Sequence, residues 1–379
     1  AALEVALEIA RFELGTRPDF GRFEPTELAA TELAVIGMGK AGARELNYIS
    51  DVDVIFVAES SSAELDSQRA VEIATKLATR MMRAIDGTAA EPALWQVDAN
   101  LRPEGKSGAL VRTLESHLSY YDRWAESWEF QALLKARPLA GNFDLGERYV
   151  TALAPKVWSS SKRDGFVESV QKMRQRVTDN IPTTEVDRQI KLGPGGLRDV
   201  EFTVQLLQIV HGRTDESIRV RDTVGALSAL SAASYIGRSE ASQFAEHYRF
   251  LRFLEHRIQL SQMRRTHLMP TEEGAQRSIA RAVNLKYSAK DLLDQWESVK
   301  LEVRSLHQKL FFRPLLSSVS KLDDETLELS SDQAQDRLAA IGFADPRGAL
   351  GHIGALTSGL SRRAAIQKQL LPVLIQWFS

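Results

Sequence analysis

The sequence predicts an α+β fold: a small sheet with helices, followed by a mostly helical domain. Three observations carry this. Short apolar or β-branched runs occur only before about residue 110. Long amphipathic patterns fill the chain after it. Between the first two strand-like runs lies a glycine-rich loop too short to hold a crossover helix.

The elements follow in order. Residues 3–13 read as a helix, followed by a loop at Thr16-Arg17-Pro18-Asp19. Leu33-Ala34-Val35-Ile36 reads as a short buried strand. Val52-Asp53-Val54-Ile55-Phe56-Val57 is a second, rich in β-branched residues. Across 66–86, Ala70, Ile73, Ala74, Leu77, Met81 and Ile85 recur at helical spacing, with Gly87 as the stop. Leu94-Trp95-Gln96-Val97 is a third strand. Helical patterns then cover 113–135, 144–157, 164–179, 199–211, 219–234, 239–265 and 289–312. A linker at 316–331 precedes helical stretches at 333–341, 346–356 and 362–378. The expected domains are 1–145, 146–315 and 316–379.

Composition narrows the function. The 379 residues suffice for two or three domains. A net charge of -2 gives no global attraction to nucleic acid or an anionic membrane. The absence of cysteine excludes disulfides, thiol catalysis and cysteine-ligated zinc, and it fits the cytoplasm. No apolar run reaches the roughly 18 residues of a membrane span. The chain lacks an initiator methionine and ends mid-pattern at Trp377-Phe378-Ser379, which reads as a piece cut from a longer protein.

Gly37-Met38-Gly39-Lys40-Ala41-Gly42 matches G-x-G-x-x-G, the dinucleotide-binding pattern. Spacing argues against that use. Only Ala43 to Ser50 precede the next strand, too few for the helix of a parallel crossover. Instead Asp51 and Asp53 come early. On a strand they share one face, a few ångströms apart. Like charges that close call for a cation. Magnesium prefers oxygen ligands, typically one or two carboxylates plus substrate phosphates, and such ions support in-line displacement at phosphorus. The glycines let backbone N–H groups approach phosphate. For the two aspartates alone, a strand-capping Asp51 and a solvated Asp53 is the favoured reading; the preceding loop and Ser50 turn the balance to the metal. Asp98, closing the third strand, is the candidate third carboxylate.

The segment from Gly37 to Asp53 closely resembles the nucleotidyltransferase motif of the bifunctional glutamine synthetase adenylyltransferase/adenylyl-removing enzymes. The resemblance continues in Leu101-Arg102-Pro103-Glu104-Gly105-Lys106-Ser107-Gly108, in Trp128 to Arg137, in Ile190 to Phe202 and in Ser361 to Gln367. It covers nearly the whole chain. It implies a DNA-polymerase-beta-like nucleotidyltransferase sheet in 1–145, with 316–379 leading to the family's C-terminal half. Arg198, within Gly-Gly-Leu-Arg-Asp-Val-Glu-Phe, resembles the adenylyl-removing half, where the attaching half tends to have threonine. Asn100 departs from the arginine expected there.

The resemblance implies phosphorolysis: inorganic phosphate attacks a tyrosine-linked AMP on glutamine synthetase, and ADP leaves. It assigns Asp51, Asp53 and Asp98 to Mg2+. Gly37, Gly39 and Ser50 go to nucleotide phosphate, Lys40 and Arg102 to phosphate charge, with Lys135, Arg137 and Arg198 behind them. Each basic residue taken singly fits a structural ion pair equally well. Implied partners are glutamine synthetase, phosphate with ADP or ATP, and a PII-type signal-transduction protein; nucleic acid and membrane are not among them. The rival readings are the attaching half and a catalytically silent nucleotide-sensing module. Glu129 and Glu201 read as helix-to-helix ion pairing. His117, His211, His247, His256, His267, His307 and His352 read as structural or surface groups. The five arginines between Arg249 and Arg265 read as a solvated helix face, and Trp124 with Trp128 as core packing.

Overall fold

The computed structural model describes residues 1–17, 23–87, 93–163 and 165–311, with a few more at 345, 347–348 and 350–352. The expected linker at 316–331 and the helices at 333–341 and 362–378 lie outside the described residues. Within 346–356 the described residues 347–348 and 350–352 are helical. The chain forms two compact units, discontinuous in sequence. The first takes 1–170, 211–229 and 256–266; the second takes 171–210, 230–255 and the remainder.

The first unit is built on a five-stranded sheet. Strand β1 (Thr31–Gly37) pairs antiparallel with β2 (Asp51–Ser60). Their connection holds only the single turn α3 (Gly39–Gly42). An antiparallel pair needs no crossover, so the short spacing is satisfied. Strand β3 (Gln96–Asp98) runs parallel to the start of β2, and β4 (Val111–Thr113) parallel to its later part. Strand β5 (Arg137–Gly141) closes the other edge against β1.

Each face of this sheet is covered, and alternation decides by what. Leu33 and Val35 of β1 and Val52, Val54 and Phe56 of β2 enter one core. They meet Leu7, Ala10 and Leu14 of α1 (Ala2–Thr16) and Ile73, Leu77 and Met81 of α4 (Ser67–Asp86). The Asp66 side chain caps α4 by accepting from the N–H groups of Gln68 and Arg69, and Gly87 ends it in an extended conformation. On the opposite face, Ile36 touches α7 (Phe143–Ser159), where Gly146 admits the close approach of Pro138.

Strand signals do not fade after residue 110, as the pattern suggested. Strand β4 is three residues long, too short to show alternation. Strand β5 contains Pro138 and ends on Gly141, residues depleted from strands. Its edge position tolerates the missing N–H, and the register with β1 shifts there. Two short helices, α2 (Pro25–Ala30) and α12 (Glu273–Val283), were likewise absent from the pattern. The 113–135 pattern breaks into α5 (Leu114–Arg123) and α6 (Ser127–Leu133). Because α5 stops at Trp124, that tryptophan is 73% exposed, and the pair with Trp128 is not core packing.

The second unit is helical. It includes most of α8 (Phe166–Asp179) and α9 (Leu197–His211), the end of α10 (Thr223–Ala232), the first part of α11 (Arg238–Gln262), α12 and α13 (Ala289–Phe311). Helix α9 is buried along most of its length. Its N-terminal turn is fixed by Asp199, whose carboxylate accepts from Arg174 Nε and from the Gly195 N–H, both at 2.7 Å. Gly195, at φ +73°, lies so close to Lys300 O that a Cβ would come within 2.1 Å of it. No described helix is long and apolar enough to cross a membrane.

Candidate active site

The start of β2 places Asp51 and Asp53 on one face, while Val52 and Val54 point into the core. In the β2–β3 register, Asp53 lies directly opposite Asp98. Sequence spacing predicts the first juxtaposition; strand order creates the second. One carboxylate oxygen from each of the three residues falls within 4.8 Å of the others, and all three side chains are half-buried. Among the described residues this is the one cluster of metal-type ligands. Three anionic groups so close repel strongly. An all-oxygen donor set open to solvent suits a hard divalent ion such as Mg2+.

The carboxylates are individually oriented. Asp98 accepts from the backbone N–H of Asn100 at 2.7 Å. Whatever Asn100 lacks relative to the expected arginine, its backbone aims this acid. Met38 N–H donates to Asp53 O at 2.9 Å, tying the glycine loop to the strand. Gly39 adopts φ +50°, and a Cβ there would come within 2.6 Å of Asp53 Oδ2. The other glycines answer to packing. A Cβ on Gly37 would overlap Leu139, and one on Gly42 would reach 1.9 Å from Lys135 O. Of the three, Gly39 alone borders the carboxylates. Lys40 is half-buried on α3, and Ser50 is half-buried just before Asp51.

The basic residues have specific partners around the loop and in the second unit. Arg102 donates to three carbonyls, Ala99, Lys106 and Gly108, and so shapes the loop after β3. Burial lowers its pKa, opposed by the nearby Asp98 charge. Lys135 pairs with Glu45 at 3.0 Å, and Glu45 also accepts from the Thr223 N–H at 2.9 Å. Arg137 donates to the carbonyls of Ala41 and Gly42, holding the end of α3. These three therefore build the frame around the loop. In the second unit, Arg198 pairs with the buried Glu201 at 3.2 Å and stacks over Phe202. Glu129 is the capping-box acid of α6, accepting from the Glu126 N–H and the Tyr120 hydroxyl; burial raises its pKa.

One residue at the site escaped the sequence reading. Arg265 donates to Asp51 Oδ2. It sits among arginines read as a solvated helix face, and over 200 residues separate it from its partner. No local pattern signals such a contact. Arg252, another of that group, pairs at 2.6 Å with Glu255, which is fully buried.

The family model described as glutamate-ammonia ligase adenylyltransferase matches residues 3–151. That described as GlnD PII-uridylyltransferase matches residues 167–311. A bifunctional glutamine synthetase adenylyltransferase/adenylyl-removing enzyme of Leifsonia xyli is 62% identical over all of this chain, which covers 38% of that protein. Its counterpart in Streptomyces avermitilis is 54% identical over the whole chain, covering 37%. That of Corynebacterium glutamicum is 51% identical over 92% of the chain, covering 32%. The chain thus spans little more than a third of these relatives.

Proposed function

The chain belongs to the family of bifunctional glutamine synthetase adenylyltransferase/adenylyl-removing enzymes, and from that premise we propose that it carries the adenylyl-removing activity. In this reading it takes AMP from an adenylylated tyrosine of glutamine synthetase by Mg2+-dependent phosphorolysis. The observation that carries it is the set of three carboxylates held in register on two adjacent strands beside Gly39. Arg198 supports removal over attachment.

The step is a displacement at phosphorus. An oxygen of inorganic phosphate bonds to the phosphorus of the bound AMP. The bond from phosphorus to the tyrosine oxygen breaks, that oxygen takes a proton, and ADP is the product. Asp51, Asp53 and Asp98 would hold Mg2+, which supplies charge neutralisation for the phosphoryl oxygens. The remaining work is positioning, the main demand of phosphoryl transfer. The Asn100 N–H orients the Asp98 carboxylate, and Met38 ties the glycine loop to β2 through the Asp53 main-chain carbonyl; Arg137, Lys135 and Glu45 fix the loop that carries Gly39. Lys40, Ser50 and the N–H groups of the glycine loop would meet phosphate oxygens. Regulation by a PII-type protein is part of the proposal, without residues assigned to it.

The test is ADP release from adenylylated glutamine synthetase plus phosphate, run beside ATP plus unmodified glutamine synthetase. Phosphate-dependent ADP is expected in the first reaction and no AMP transfer in the second. The reverse pattern would assign the attaching half. Asp51→Asn should abolish release while the protein stays folded; undiminished release would sink the carboxylate assignment.

A further inference from the structure

Arg265 is a charged group at the carboxylates that the proposed chemistry does not use. Its guanidinium donates to Asp51 Oδ2, and the fold delivers it there by construction. Within the first unit, His256 and Gln259 on the last turns of α11 close on Asn47, which is buried. His256 Nε2 lies 2.9 Å from Asn47 Oδ1, and Asn47 Nδ2 donates to Gln259 Oε1 at 2.9 Å. Tyr48 meets the His256 ring edge-on at 5.5 Å. Asn47 stands four residues before Asp51. Helix α11 then ends, the backbone turns through Met263 at φ +46°, and Arg265 returns to the first residue of β2.

Resting on the metal reading above, we propose that Arg265 is a movable counter-charge: it yields Asp51 Oδ2 to a divalent ion and turns to the phosphate of the bound nucleotide. Three carboxylates within 4.8 Å need positive charge, and a guanidinium supplies part of it. The pair is displaceable, because Arg265 is 45% and Asp51 27% exposed, and ion pairs so open to water are weak. A divalent ion and a guanidinium both draw on the same oxygen and repel each other. The planar fork of arginine matches phosphate oxygens, and it is released where the nucleotide phosphate must sit. Arg265 is thus a binding residue whose loss acts with opposite sign on two ligands.

Mn2+ is titrated alone into the whole chain, followed by ADP at saturating Mn2+, for the native protein and for Arg265→Gln and Arg265→Lys. Thermal melting verifies that each variant is folded. Arg265→Gln should bind Mn2+ about tenfold more tightly and ADP about tenfold more weakly, the scale of one lost charge interaction near a surface. Arg265→Lys, which keeps the charge without the fork, should stay near native for Mn2+ and fall below it for ADP. An arginine that merely braces the fold would move neither affinity, and unchanged or weaker Mn2+ binding in Arg265→Gln overturns the role. Failure of the native protein to bind Mn2+ would overturn the carboxylate site itself, and this role with it.

Discussion

Two aspartate–arginine pairs, one in each unit, show how differently the same chemistry is handled. Asp199 and Arg174 in the helical unit are almost fully buried, at 4% and 7% exposure. Asp199 is saturated: Arg174 and the Gly195 N–H take its oxygens, and the Thr203 hydroxyl donates to its carbonyl. Asp51 and Arg265 are half-exposed, and Asp51 shares its surroundings with two further carboxylates. A saturated buried pair can only hold the fold together. An open pair among like charges is destabilised until a ligand arrives, which is the condition for binding one. Both aspartates lie in segments resembling the family's motifs, so motif membership alone does not separate a site from a strut.

The largest effect should fall on the buried pair. Asp199→Ala leaves the Arg174 guanidinium buried without its partner, a change expected to cost about 3–5 kcal/mol of unfolding free energy. Asp51→Asn removes an exposed pair and relieves repulsion, so its stability should stay within about 1 kcal/mol of native. Urea unfolding of both variants measures the contrast. If Asp51→Asn is as destabilising as Asp199→Ala, the distinction between strut and site collapses.

That contrast also explains what was legible in the sequence. Asp51 and Asp53 could be placed on one strand face because alternation is local. Asp98 joined them through order in the chain and the resemblance, but its register opposite Asp53 is a tertiary fact. Helices α1, α4, α9 and α13 follow from long apolar periodicity. Strand β5 was invisible because Pro138 and Gly141 break strand propensity where only an edge position can tolerate it. Arg102, Lys135 and Arg137 were recognisable as motif residues, yet their partners are mainly backbone carbonyls and a glutamate, which spacing cannot reveal. Arg265 was beyond reach for the same reason, its partner lying far away in the chain.

Buried groups in both units should also set the response to pH. His117 is enclosed by Tyr121 and Tyr149, with Nε2 lying 3.3 Å from Phe56 O. Burial pushes its pKa down to about 4. His307, beside Asp199 in the second unit, is lowered by burial as well. The sign follows from proton uptake. Unfolded histidine binds a proton below about pH 6.5, the folded His117 only near 4, so the unfolded state gains protons first. Stability is therefore complete above about 6.5 and falls as pH drops toward 4, by about 3 kcal/mol for His117. Unfolding curves of His117→Gln and the native protein at pH 7, 5.5 and 4.5 should converge as the native protein loses this contribution. Parallel curves would place the histidine's effect elsewhere.

A modest effect on stability, with a sharp one on the site, belongs to Gly39. At φ +50° an alanine carries a left-handed penalty of about 1–2 kcal/mol whatever surrounds it. Its Cβ would also stand 2.6 Å from Asp53 Oδ2, so the carboxylate must swing away from Asp51 and Asp98. Gly39→Ala should therefore lose Mn2+ affinity well beyond what its modest loss of stability implies. Combining it with Asp53→Ala separates the two causes, because the clash vanishes with the carboxylate while the backbone penalty stays. In the Asp53→Ala background Gly39→Ala should cost only that penalty and leave the weakened Mn2+ binding where it was. If the glycine change lowers metal affinity equally in both backgrounds, the glycine acts on the metal by a route other than Asp53. Its place in the motif would then reflect the loop's own conformation and not protection of the carboxylate cluster.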